Sequence, residues 1–149
     1  MSDETAALLR GIPGGAALLN WSENARDCVF GDGEVVSLNL YRDQPSTLVI
    51  DIFRLSTAQE WERLRVTFVL GAWIDTSLRG FSGQNVIGEL ILRRAGERSI
   101  DPWELGVGCE PGEFEIRLEP CFGAHGAIRA NIARILVEAL PPSTHYRVT

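Results

Sequence analysis

Phe114-Glu115-Ile116-Arg117-Leu118-Glu119 alternates apolar and charged residues without a fault. Successive side chains of an extended chain point to opposite faces, so Phe114, Ile116 and Leu118 face a core and the charged three face water. The same rhythm runs upstream. Trp103, Leu105, Val107 and Cys109 alternate with Glu104, Gly106 and Gly108, and Val86 to Arg93 reads as the strand before them. Leu64, Val66, Phe68 and Leu70 alternate with Arg65, Thr67 and Val69, and Trp73 to Leu78 adds a short strand. Leu48 to Phe53 pairs as a hairpin with Val36, Leu38 and Leu40, which alternate with Ser37, Asn39 and Tyr41. Ser56 to Arg63, polar apart from Ala58 and Trp61, reads as a hairpin loop with one helical turn.

Downstream the rhythm slips. Ile128, Ala130 and Ile132 form one alternating set, then Ile135, Val137 and Ala139 form another. Ile128, Ile132, Ile135 and Leu136 also fit a helical stripe over Gly126 to Leu140. The β-branched content, Gly126 at the start and the need to pair open strands favour a strand, with one bulge near Ala133. Before Phe30 the chain is helix-prone: Thr5 to Arg10 predicts a short helix that Gly11, Pro13, Gly14 and Gly15 stop, and Ala16 to Trp21 is a second apolar piece.

Seven to eight short strands punctuated by turns predict a mainly β fold, an antiparallel sandwich or strongly bent sheet. One domain spans residues 1–149: a helical or irregular lead-in over 1–30, the β domain over 31–140 and a tail over 141–149 after Pro141-Pro142.

With 20 Asp+Glu against 14 Lys+Arg the net charge is −6, and every basic residue is Arg. An acidic chain argues against nucleic acid as the main partner and suits a basic protein partner. No apolar run approaches the ~20 residues of a membrane span, and Asp3 and Glu4 stand where a signal peptide carries cations, so the expected location is cytoplasmic. Cys28, Cys109 and Cys121, an odd set without short spacings, read as reduced thiols.

Motifs for chemistry are sparse. His145 lies in the tail and His125 in the Gly123-Ala124-His125-Gly126 turn, four residues after Cys121. Nothing flanking that pair supports an activated thiol, and Cys109, Cys121 and His125 lack the short clamp of a zinc site. Gly31-Asp32-Gly33 and Gly80-Phe81-Ser82-Gly83 do not match phosphate-cradling spacings. No cofactor, metal or catalytic residue is expected. Glu110, Glu113, Glu115 and Glu119 fall in one hairpin and read as a solvated strand face, or as an acidic face for a basic partner; Trp61 is the exposed aromatic candidate. Asp32 and Glu34 offer an alternative, the acid and base or ligand contacts of a small β-sandwich enzyme or carbohydrate-binding module.

Phe30-Gly31-Asp32-Gly33-Glu34-Val35-Val36-Ser37-Leu38 resembles a signature of Phe, His, Asp, a small residue and Glu leading into a first strand. Leu78-Arg79-Gly80-Phe81-Ser82-Gly83-Gln84-Asn85-Val86-Ile87 resembles a second motif in which Gln-Asn-Val opens a strand. Together with a Glu-rich strand and Gly-rich turn over Gly112 to Ile132, the order is similar to the immunity protein 50 family, small proteins found beside bacterial polymorphic toxins. Gly31 stands where that pattern has His, so any role of the imidazole is absent; Asp32, Glu34, Gln84, Asn85 and Val86 match. The resemblance implies a non-catalytic protein that binds and neutralises a cognate toxin by steric occlusion. The same side chains also serve as local backbone partners, Asp32 in its turn and Asn85 where the next strand begins.

Overall fold

The computed structural model describes residues 1–22, 30–55, 60–95 and 114–141, of residues 72 and 73 the backbone only. Among the described residues helices α1 (Asp3–Gly11) and α2 (Gly15–Ser22) precede six strands: β1 (Gly33–Asn39), β2 (Thr47–Leu55), β3 (Trp61–Thr76), β4 (Val86–Arg94), β5 (Phe114–Phe122) and β6 (Gly126–Leu140). All pairings are antiparallel. β1-β2-β3 and β4-β5-β6 are two meanders laid edge to edge. They meet along β3 and β6 and again along β1 and β4, giving the closed order β1-β2-β3-β6-β5-β4.

The fold is therefore mainly β and antiparallel, and the sheet is a closed barrel rather than a sandwich. Closure rests on a short seam. Gly33 faces Ile87 and Glu34 faces Val86, Asp32 N donates to Ile87 O at 3.1 Å, and Val35 N donates to Asn85 O at 2.8 Å. A contact between segments about fifty residues apart leaves no trace in local periodicity, whereas a barrel and a sandwich share one alternation.

Three strand readings are corrected. The expected strands Leu64–Leu70 and Trp73–Leu78 are largely one, β3, which stays paired to β6 through irregularities between Val69 and Ile74. Trp61, Glu62 and Arg63 belong to that strand and not to a loop, opposite Leu55, Arg54 and Phe53. Their polarity comes from the outer wall, where Arg54 Nε donates to Glu62 Oε2 at 2.6 Å. In β1 the inward residue is Val35, while Val36 and Leu40 are exposed. A register shift between Val35 and Ser37 reverses the phase, so that Val35 faces Ile50 and Leu38 faces Leu48. The expected Trp103–Cys109 strand and the tail beyond Pro141 lie outside the described residues.

β6 is a strand, and its phase slip is a bulge at the expected residue: Val69 faces Arg134 and Leu70 faces Ile132, leaving Ala133 unopposed. Inward side chains fill the barrel. Leu48, Ile50 and Ile52 of β2, Val66 and Phe68 of β3, Leu90 and Leu92 of β4, Ile116 and Leu118 of β5 and Ile128 of β6 are almost wholly removed from water. Phe30 packs on Phe68 with ring centroids 6.4 Å apart. Eight strands make an interior just wide enough for side chains to fill, so a six-stranded barrel packed with Leu, Ile and Phe has a dry centre.

The helices close what the sheet leaves open. α1 begins at Ser2, whose hydroxyl accepts from Thr5 N at 3.1 Å. It lies on β4, where the Thr5 hydroxyl accepts from Leu92 N at 3.1 Å and donates to Leu92 O at 3.3 Å. Leu9, Ile12, Leu18 and Leu19 join the same core as the barrel residues. The turn between the helices satisfies β6 in turn, since Ile135 N donates to Pro13 O at 2.8 Å. Gly14 is required by that contact, since a Cβ there would lie 1.8 Å from Ile135 O, and Gly15 by the close approach of α1, since a Cβ there would lie 1.7 Å from Leu9 O. Arg54 pins the end of α2, stacking on the Trp21 ring at 4.4 Å and donating through Nη1 to the Trp21 carbonyl. No helix among the described residues is long and apolar enough to cross a membrane.

Candidate functional site

A filled interior leaves the outer wall and the connecting loops as the places where this barrel can meet another molecule. Two charged clusters stand on that wall. In the first, Asp51 is buried on the outward side of β2, with Arg65 bonding it through Nε at 2.8 Å and Nη2 at 3.0 Å. Arg63 reaches the same carboxylate at 3.8 Å. Glu34 is the cross-strand neighbour of Asp51 on β1. Its Oε2, like Arg63 Nε, is buried without a hydrogen-bond partner among the described residues.

The second cluster centres on Glu115. Strands β4, β5, β6 and β3 bring Arg93, Glu115, Arg129 and Asp75 into one cross-strand row. Arg129 holds Glu115 Oε2 through Nε at 3.2 Å and Nη2 at 3.1 Å. Arg93 Nε approaches Oε1 at 3.4 Å, and Arg117 Nε approaches it at 3.8 Å. Beside this group an open recess of about 290 Å³ is lined by Asp75, Ser77, Glu115, Arg117, Ala127 and Arg129. The expectation of a solvated acidic face is thereby corrected at Glu115: its strand phase is outward, yet it is only 8% exposed because arginines from three strands fold over it. The face it belongs to is arginine-rich. Glu119 is half-buried on the same strand, and Glu110 and Glu113 lie outside the described residues.

Asp32, Glu34, Gln84 and Asn85 stand together at the barrel's seam. Asp32 is exposed in a left-handed turn at φ 60°, and its contribution to the seam is its backbone N–H. Gln84 is exposed. Asn85 ties two loops together: Oδ1 accepts from Ser82 N at 2.9 Å and Ala124 N at 3.0 Å, and Nδ2 donates to Ser82 O at 3.0 Å. Asp32 and Glu34 do not line the recess beside Glu115. Trp61 is 39% exposed at the far end of the β2–β3 pair, opposite the equally exposed Leu55.

His125 pairs with Arg79 through two backbone hydrogen bonds of 3.0 Å. Arg79 Nε donates to its Nε2 at 3.3 Å, which assigns the ring proton to Nδ1, facing Gly123 O at 3.0 Å. Cys121 is exposed; Cys28, Cys109 and His145 lie outside the described residues. Among the described residues no three His, Cys, Asp or Glu side chains converge as a metal site would require.

Alternation along single strands points to Glu115 and Arg117 but misses Asp51, Arg93 and Arg129. The available signal is that Arg93, Arg117 and Arg129 all occupy outward phases of their strands; which strands adjoin is the missing information. No protein-family model matches this chain, and no curated protein or solved structure matches it either.

Proposed function

We propose that this protein is a non-catalytic immunity protein, working in the cytoplasm, that binds a cognate bacterial toxin and neutralises it by steric occlusion. The observation that carries the proposal is the meeting of the two segments in which the resemblance resides. Residues 30–38 and 78–87 are far apart in the chain and zip together at the barrel's closing seam. A motif divided between those segments specifies closure of this barrel, and leaves the outer wall free to vary with the partner. A rigid wall of packed strands carrying arginines and exposed aromatic side chains suits recognition of a protein surface.

Co-expression with the product of the gene immediately upstream tests the proposal. The expected results are co-purification as a complex and relief of growth arrest caused by that product alone. A growth arrest that persists with the barrel protein present and folded rejects the proposal.

A further inference from the structure

Deepening that reading, and resting on it for the identity of the partner as a protein, we propose that the arginine cluster over Glu115, at the rim of the recess between β3, β5 and β6, receives a single side-chain carboxylate, Asp or Glu, from the partner. Arg93, Arg117 and Arg129 converge on one carboxylate. Three guanidiniums offer far more N–H donors than two carboxylate oxygens can accept. Arg93 and Arg117 approach Glu115 Oε1 through Nε at 3.4 and 3.8 Å, and these two side chains are 45% and 46% exposed. With Asp75 included, the cluster keeps one net positive charge on a chain whose total is −6.

The buried Glu115 acts as an organiser. It holds the arginines in place before a ligand arrives, so less side-chain freedom is lost when a second carboxylate docks. Beside the cluster the recess leaves room for a short side chain next to Arg117 and Arg129. One carboxylate also suits the long-range field. An extended polyanion would be repelled by the acidic remainder of the molecule, whereas a single acid on an otherwise basic partner feels the local cations within about one Debye length, ~8–10 Å.

The test uses the full chain and, as probe, a blocked peptide carrying one Glu between glycines, followed by NMR of the arginine Nε–Hε groups at low salt. Saturable shifts at Arg93, Arg117 and Arg129 are expected. Affinity should fall at least tenfold in the double variant Arg93→Gln/Arg117→Gln and stay unchanged in Arg134→Gln, an exposed arginine elsewhere on β6. Non-saturating shifts, or equal binding by the double variant, would overturn the inference. So would inorganic phosphate saturating the same groups at equal or lower concentration, which marks a free-oxyanion site. The upstream gene product separates the two claims. If it binds the double variant as well as the parent, the carboxylate site is refuted and the toxin-binding proposal stands. If it binds neither while the peptide binds as expected, the toxin-binding proposal fails and the cluster remains a carboxylate site.

Discussion

The Thr5 hydroxyl makes both backbone hydrogen bonds that a neighbouring strand would otherwise make to Leu92, accepting from its N–H and donating to its carbonyl. β4 meets β1 through only two residue pairs, and one side chain of α1 covers part of the edge that remains. Both partners are buried, so removing the hydroxyl leaves a donor and an acceptor unsatisfied. Thr5→Val, nearly equal in shape, is expected to cost about 2–3 kcal/mol. Thr5→Ser keeps the hydroxyl and should cost only about 1 kcal/mol for the lost methyl group. Urea unfolding midpoints of the two variants, with unchanged slopes, check the difference; equal losses would show that packing and not hydrogen bonding holds the helix.

Glycine substitutions in the helical turn should separate sharply. A Cβ added at Gly11 would meet nothing within 4 Å, whereas one at Gly15 would meet Leu9 O at 1.7 Å. Gly11→Ala should be neutral or stabilising by up to about 1 kcal/mol through helix propensity. Gly15→Ala forces the Leu9 carbonyl to move and should cost about 3 kcal/mol or more. Thermal melts of both variants decide it, and a harmless Gly15→Ala would mean that α2 docks differently.

Much of this architecture is legible without a structure, and the illegible part has a physical reason. Periodicity shows β2 and β5, and even the bulge at Ala133, because a phase slip is a local event. It does not show closure, because the seam of Gly33 and Glu34 with Val86 and Ile87 is a tertiary choice between edges that are equally strand-like. At Glu115 alternation indicates the correct face and the wrong environment. A charged residue in an outward phase reads as solvated, and only the arginines of β4, β5 and β6 make it buried. The recess is invisible for the same reason, since its lining comes from three strands that are not all consecutive in the chain.

Asn85 makes a further prediction about the loops. Its amide receives Ser82 N and Ala124 N and donates to Ser82 O, so Asn85→Ala should unlock residues 80–85 from the 123–125 turn, at a cost of about 1–2 kcal/mol for partly exposed bonds. Asn85→Asp keeps the acceptor but turns an oxygen toward the Ser82 carbonyl, so rescue should be partial. Amide hydrogen exchange at Ser82 and Ala124 reports this directly: both amides should lose protection in the Ala variant and retain more of it in the Asp variant. Protection unchanged in both would show that the turn glycines alone hold the loops.

The buried Asp51 sets the last expectation. Its carboxylate is 2% exposed and is shared between Arg65 and Arg63, whereas Arg65 itself is partly in water. An arginine with access to solvent can be rehydrated when its partner is lost, but the acid cannot be when the arginines are lost. Removal of the guanidiniums should therefore hurt more than removal of the carboxylate charge. Asp51→Asn, which keeps the shape and one acceptor, is expected to cost about 1–2 kcal/mol. Arg65→Met with Arg63→Met, which strips the cations from a buried charge, should cost about 3–5 kcal/mol. Combining all three substitutions removes the stranded charge and should recover part of that loss. Guanidinium chloride unfolding of the four proteins closes the cycle; a triple variant less stable than the double one would mean that Asp51 is held by contacts other than its ion pairs.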